Sequence, residues 1–371
     1  MKIAILTQPL YANYGGILQC YALQTVLERM GHRVQVLAKP QYGRSYYVIY
    51  PLVVCKNLCR RFVLGKKVAI FKTPHQIVRQ HTDRFIRQYI HQYIKRIWTP
   101  KIATRFDAIV VGSDQVWRPL YSQPIEEAFL SFLGKASIKR IAYAASFGVG
   151  YCEYTEEQRK ICSSLLKKFD AVSVRESSGI KLCQECFDTQ AVQVLDPTLL
   201  LSADDYRDLI KTVKSQPSKG NMLVYMLDLT KEKEELVKRI ANEKGLTPFW
   251  IINNERNELL PLEQCVKIPV EQWLRCFDDA EFVLTDSFHG CVFSIIFRKQ
   301  FLAVGNEERG LSRFYSLLNL CSLSDRLILS PKDYHSYRSL LSKTIDYKDV
   351  YDELNIKLKY SIDFIKESLK I

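Results

Sequence analysis

The stretch Leu284-Thr285-Asp286-Ser287-Phe288-His289-Gly290 follows the short apolar run Glu281-Phe282-Val283 and precedes a helical run from Cys291 to Phe297. Together these segments read as a strand, a loop and a helix start. Thr285, Asp286 and Ser287 offer capping groups, and Gly290 admits close approach of a ligand to the backbone. The free amides of a helix start suit an anion. A histidine in such a place, here His289, can take part in both anion binding and proton transfer. The same residues also read as a capped helix whose His289 merely satisfies a backbone carbonyl. Both readings stand for the motif taken alone, because strand-to-helix loops of an open α/β sheet are frequent ligand sites but not all of them bind something.

Outward from this stretch, strands alternate with helices, the pattern of parallel sheets covered on both faces. Strands are expected at 3–7, 33–37, 108–111, 141–145, 171–174 and 192–195, with helices at 16–30, 156–168, 177–185 and 203–213. The first helix carries Ile17, Leu18, Tyr21, Ala22 and Val26 at helical spacing and stops at Gly31. Lys214-Ser215-Gln216-Pro217-Ser218-Lys219-Gly220 is the expected linker. Beyond it a second set runs through a strand at 221–227, a helix at 231–243, strands at 248–252, 282–284 and 301–304, and a short helix at 270–277. The expected organisation is a first Rossmann-like domain over 1–213, a second over 221–345, and a C-terminal helical tail, 346–371, able to return to the first.

Composition permits this division. With 371 residues, 47% of them hydrophobic, the chain can bury two ordinary cores. Its start, Met1-Lys2-Ile3-Ala4-Ile5-Leu6, reads as a strand rather than a signal peptide. Together with the odd count of 11 cysteines, this leads to the expectation of a reducing cytoplasm. Cys183 and Cys186 form a C-x-x-C pair that no second pair or nearby histidine completes, so no metal is expected.

The formal charge of +13 is concentrated between residues 39 and 101, where fourteen Lys and Arg face the single acid Asp83. This insertion also holds the uncharged run from Ser45 to Cys55, which Pro51 interrupts and which falls short of the roughly 20 residues needed to span a bilayer. It reads either as an interfacial contact with anionic lipid, at the inner face of the membrane, or as a solvated helical insertion. No nucleic-acid motif accompanies the charge, so nucleic acid is not the expected partner.

The motifs become specific when collected in order. Asn13-Tyr14-Gly15-Gly16-Ile17-Leu18-Gln19 opens the first helix, Val111-Gly112-Ser113-Asp114-Gln115-Val116-Trp117 follows a strand, and the segment from Arg140 to Gly148 follows another. Ser173-Val174-Arg175-Glu176, Leu195-Asp196-Pro197-Thr198 and the 285–290 segment complete the series. From about Ile3 to Leu320 the chain resembles the polysaccharide pyruvyl transferase family. The resemblance implies two Rossmann-like domains facing a cleft, as in glycosyltransferases of the GT-B type. It also implies transfer of the pyruvyl group of phosphoenolpyruvate to two hydroxyls of a polysaccharide or lipid-linked sugar, forming a ketal and releasing phosphate.

The implied roles fall on particular residues. His289 is the acid, the base or a phosphate contact. Arg175, just past an apolar strand, is expected to grip phosphoenolpyruvate with Ser287, His289 and Gly290; its other reading is an ion pair with Glu176 or Asp170. Arg309 and Arg313 are further candidate cations, with surface pairing to Glu307 and Glu308 equally open. Asn13, Gly15, Gly16, Ser113, Asp114, Trp117 and Ser146 are expected on the acceptor side, although a capped turn with Trp117 in the core is the competing reading. Asp196, before Pro197, reads first as a turn-forming residue. No cofactor is expected, since neither a Walker loop nor a G-x-G-x-x-G fingerprint is present. The rivals are a nucleotide-sugar glycosyltransferase of the same architecture and a non-catalytic saccharide- or lipid-surface-binding protein.

Overall fold

The computed structural model describes residues 1–39, 44–63, 74–252, 262–305 and 310–370. Seven strands, β1 (Lys2–Leu6), β2 (Arg33–Ala38), β3 (Gln92–Ile94), β4 (Ala108–Gly112), β5 (Lys139–Ala145), β6 (Ala171–Val174) and β7 (Val192–Gln193), pair in parallel in the order β3-β2-β1-β4-β5-β6-β7. Five more, β8 (Met222–Met226), β9 (Pro248–Ile252), β10 (Phe282–Thr285), β11 (Gln300–Val304) and β12 (Leu327–Ile328), form a second parallel sheet in the order β12-β11-β10-β8-β9. The central strands are buried from end to end, as β4, β8 and β10 show. Helices cover both faces, which is why these strands are continuous apolar runs rather than alternating ones.

Each sheet reverses its strand order once, the first between β1 and β4 and the second between β8 and β10. At such a reversal the loops leaving the carboxyl ends part and leave a crevice. The loop after β1 leads into the helix Tyr14–Arg29, and that after β10 into the helix Phe288–Ile296. The deciding stretch of sequence thus lies at the reversal of the second sheet, and the Asn13–Gly16 and Ser113–Asp114 segments at that of the first. Gly31, at φ +86°, follows the end of the helix Tyr14–Arg29, in a conformation open to glycine.

The two lobes are fastened at several places. Residues 214–220 join the helix Ala203–Lys211 to β8, and the Ser218 amide donates to Asp279 Oδ2 at 2.8 Å. Tyr14 of the first lobe stacks on Trp273 of the second at 5.3 Å and donates its hydroxyl to the Ile268 carbonyl at 3.0 Å. The final helix, Tyr347–Leu369, starts on the second lobe, where Tyr347 donates to the Ser294 carbonyl at 3.2 Å. It ends on the first, where Ser361 Oγ accepts from the Leu195 amide at 3.0 Å and Phe364 meets Tyr143.

The basic insertion is more integrated than a single appended segment. Its last part is β3, the edge of the first sheet, and the helix Gln80–Tyr89 buries Thr82, Phe85 and Ile86. Phe85 packs edge-on against Tyr21 at 5.8 Å. By contrast the helix Arg44–Phe62, with Pro51 inside it, leaves Leu52 69%, Phe62 74% and, just beyond its end, Val63 76% exposed. Lys66, Lys67 and Lys72 lie outside the described residues.

Candidate active site

The turn after β10 is built by spending its own polar groups. Thr285 Oγ1 donates to the Tyr225 carbonyl at 2.7 Å and accepts from the Ser287 amide at 3.1 Å. Ser287 Oγ accepts from the Gly290 amide at 3.3 Å, capping the helix. Asp286, buried, accepts from the Leu227 amide at 2.6 Å, the Asp228 amide at 3.1 Å and Lys233 Nζ at 2.6 Å, tying β8 to β10. A Cβ on Gly290 would stand 2.2 Å from Thr285 Oγ1. That glycine therefore lets helix and strand pack together, and its amide is taken by the Ser287 hydroxyl. Ser287 likewise serves as a cap. What the turn leaves unspent is His289.

His289, 6% exposed, is wedged against the first lobe. A Cβ on Gly15 would lie 2.0 Å from its Nδ1, so only glycine fits there. Its Nε2 stands 3.7 Å from Asp196 Oδ2, beyond hydrogen-bond reach, and has no hydrogen-bond partner. Asp196 Oδ1 accepts from the Thr198 amide at 3.0 Å and the Thr198 hydroxyl at 2.6 Å, while Oδ2 accepts from Arg175 Nη1 at 2.8 Å. Burial alone would lift this carboxyl. The neighbouring His289, the Arg175 guanidinium and the Thr198 hydroxyl outweigh it and hold Asp196 well below the usual carboxylate range.

Arg175 has one nitrogen held by Asp196 and stands 3.7 Å through Nε from Glu176 Oε2. Its Nε and Nη2, the edge that grips a carboxylate or phosphate with two parallel bonds, have no hydrogen-bond partner. The guanidinium lies over the Phe288 ring at 4.7 Å, and Arg313 lies over the same ring at 5.5 Å. Burial, with the like charge of Arg175, pulls Arg313 down to about 10, so it stays cationic at neutral pH. Glu176, fully buried, accepts from Ser146 Oγ at 2.6 Å and the Gly148 amide at 2.9 Å. Two arginines, a histidine and the acids Asp196 and Glu176 thus meet where the lobes close.

The closure itself is tight. A Cβ on Gly310, at φ +89° in the second lobe, would lie 2.0 Å from the Gly148 carbonyl oxygen of the first. Nearby, the Ser177 amide donates to Ser316 Oγ at 2.9 Å across the lobes.

The structure brings together His289, Arg175, Arg313, Gly15 and, at the edge, Asp114 with Gly16. Asp114 Oδ2 would be 3.0 Å from a Cβ on Gly16, and Asp114 itself adopts φ +54°. Asn13 is exposed at the helix start and makes no capping bond through its side chain. Ser113 is fully buried with its hydroxyl 3.4 Å from Asp196 Oδ2, and the Ser146 hydroxyl is committed to Glu176. Trp117 is a correction. Its indole is fully buried, stacked on Phe129 at 5.0 Å, and donates to the Ala128 carbonyl at 3.3 Å, which leaves no ring face for a sugar. Arg309 lies outside the described residues.

Two residues of the cluster, Asp196 and Glu176, were not expected as participants. Asp196 does form the anticipated turn, through Oδ1, but its second oxygen faces the site. The signal was available: Arg175, Asp196 and His289 are each a charged or titratable residue within a few positions of the carboxyl end of an apolar strand. Among the described residues no three His, Cys, Asp or Glu are grouped as a metal site. Burial pushes the Cys183 thiol up to about 12, the behaviour of a core thiol.

Two parallel α/β lobes closing on a buried cluster of charged residues define a two-lobed α/β architecture of the GT-B kind. A family model for polysaccharide pyruvyl transferase matches residues 13–308, and the chain belongs to that family. Among solved structures, it is similar to UDP-GlcNAc 2-epimerase from Neisseria meningitidis bound to UDP-GlcNAc, with a TM-score of 0.51 and 11% identity over 99% of this chain and 100% of that one. It is also similar to MurG from Acinetobacter baumannii, with a TM-score of 0.45 and 12% identity over 99% of each chain. At such identity the likeness concerns the fold alone. No curated protein matches the chain by sequence.

Proposed function

We propose that the chain transfers the pyruvyl group of phosphoenolpyruvate to two hydroxyls of a saccharide, forming a cyclic ketal and releasing phosphate. The observation that carries this reading is the Nε and Nη2 edge of Arg175, which makes no hydrogen bond although Nε lies 3.7 Å from Glu176, buried beside Arg313 and His289. An anion with both carboxylate and phosphate needs such a fork and a second cation. Protonated His289 donates to the methylene carbon, and Asp196, 3.7 Å away, stabilises the imidazolium by charge. The first sugar hydroxyl attacks the resulting cationic carbon and returns a proton to His289. Phosphate then leaves, the second hydroxyl closes the ring, and its proton departs with the phosphate. Burial of the cluster excludes water, which would otherwise take the place of the sugar.

We also propose that the acceptor is lipid-linked and that the helix Arg44–Phe62 rests on an anionic membrane surface facing the cytoplasm. Exposed Leu52, Phe62 and Val63 beside the basic residues Lys56, Arg60 and Arg61 support this. No helix among the described residues is long and apolar enough to cross a membrane. The test of the chemistry is phosphate release from phosphoenolpyruvate that depends on added saccharide, with nucleotide sugars as the competing donors. Release from a nucleotide sugar instead would replace the reading with glycosyl transfer.

A further inference from the structure

One feature that the proposed chemistry leaves unused is a cavity of about 440 Å³ in the first lobe, at the carboxyl ends of β1 and β2. It shares no lining residue with the Arg175–His289 cluster. Yet it lies beside it: Gln8, on its wall, donates to the Gln115 carbonyl at 2.9 Å, one residue past Asp114. Much of its wall comes from the basic insertion, including Lys39, Asp83, Arg87 and Trp98. This is unexpected for a segment whose charge first suggested a surface device.

We propose that this cavity binds an uncharged saccharide unit of the acceptor, next to the unit that reacts, and that the insertion is therefore the element that selects the acceptor. The inference rests on the acceptor being a saccharide. Three kinds of group line the cavity, and a sugar needs all three: aromatic rings for its C–H faces, carboxylates for its hydroxyls, and donors for its oxygens. Tyr11, Trp98 and Tyr121 supply rings; Asp83 and Glu127 supply carboxylates. The charges balance, since Lys39 and Arg87 oppose Asp83 and Glu127. Lys39 is ion-paired with Glu127 and stands 4.9 Å over the Trp98 ring. Asp83 has Arg79 only at 3.9 Å, and burial lifts its carboxyl above the ordinary value, so a hydroxyl donating to it would replace lost hydration. A phosphate-bearing ligand would meet two acids here, and an alkyl chain would bury four charged groups; both are disfavoured.

The test measures binding to the intact protein by calorimetry or ligand-observed NMR. The probes are neutral mono- and disaccharides (methyl glycosides, lactose, cellobiose, mannobiose), a uronic-acid disaccharide and, separately, phosphoenolpyruvate. Neutral probes are expected to bind the wild type, more tightly than the uronic-acid one, and to lose about tenfold or more in affinity in Trp98→Ala and in Asp83→Asn, the loss of a single good polar contact. Phosphoenolpyruvate affinity is expected to be unchanged in both. Asp83→Asn keeps the side-chain volume, so it covers the case in which Trp98→Ala fails to fold. Neutral probes that bind both variants as they bind the wild type, or that bind none of the proteins, overturn the proposal. Saccharide binding that depends on these residues while phosphoenolpyruvate binds nowhere would sink the donor reading and leave the cavity assignment standing.

Discussion

The turn after β10 and the insertion at 39–101 are both dense in polar groups, and they use them in opposite ways. In the turn, Thr285, Asp286 and Ser287 are consumed in holding the backbone, and Lys233 is consumed in holding Asp286. One titratable group is left, and it is held in place. In the helix Arg44–Phe62 the basic residues Arg60 and Arg61 stay exposed beside exposed Phe62. A catalytic group has to be positioned to within a fraction of an ångström, which takes many spent hydrogen bonds. A recognition surface needs reach and complementarity instead.

The comparison breaks first if His289 is dispensable. His289→Ala is expected to lower turnover by about 10²–10⁴-fold, the usual contribution of one acid–base group, with little change in melting temperature. Near-normal turnover in a folded variant would return His289 to a structural role. Next in size is Gly15→Ala, whose methyl would meet Nδ1 at 2.0 Å. Pushing the imidazole aside is expected to cost roughly 10²-fold in kcat, read against an unchanged saccharide affinity. Arg175→Lys gives up the two-point fork, and phosphoenolpyruvate affinity is expected to fall by about 10- to 100-fold, the worth of one or two charged hydrogen bonds. An unchanged KM and kcat would mean that the Asp196 ion pair is the whole purpose of Arg175.

A smaller effect concerns acid. The Asp196 carboxyl is held below its unfolded value, so it contributes stability that is complete above about pH 3.9 and declines as pH falls below it. Melting temperatures between pH 6 and pH 3 should fall less steeply in Asp196→Asn than in the wild type. A parallel decline in both would remove Asp196 from the acid limb. The smallest effect belongs to the insertion: Arg60→Ser with Arg61→Ser is expected to change stability by less than about 0.5 kcal/mol and to leave turnover on a water-soluble acceptor untouched. Its co-sedimentation with anionic vesicles at low salt should drop. Equal sedimentation of variant and wild type would deny the helix its membrane role.

How far these contrasts could be read in the sequence depends on the range of the interaction. The strands β1, β4, β8 and β10 were legible because each is a short apolar run bounded by turn residues, a local property. His289 and Arg175 were legible because they follow such runs. Asp196 was half legible: its bond to Thr198 is two residues away, but its meeting with His289 joins positions 93 apart through the closure of two lobes. Trp117 misled because an aromatic residue after a strand looks the same whether its ring faces the cleft or Phe129. The wall of the cavity was invisible, since β2, the helix Gln80–Tyr89 and the loop after β4 come together only in the folded sheet.

The meeting of Gly310 with the Gly148 carbonyl has a consequence for fidelity. Backbone rests on backbone there, beside the Ser312 hydroxyl that donates to the same Gly148 carbonyl at 3.3 Å. The contact behaves as a doorframe: it sets how far the two halves close. A methyl group at Gly310 would act as a doorstop and hold the cleft ajar. Under the proposed chemistry, water would then compete with the sugar for the activated pyruvyl carbon, and the ratio of free pyruvate to ketal is expected to rise even where total phosphate release does not fall.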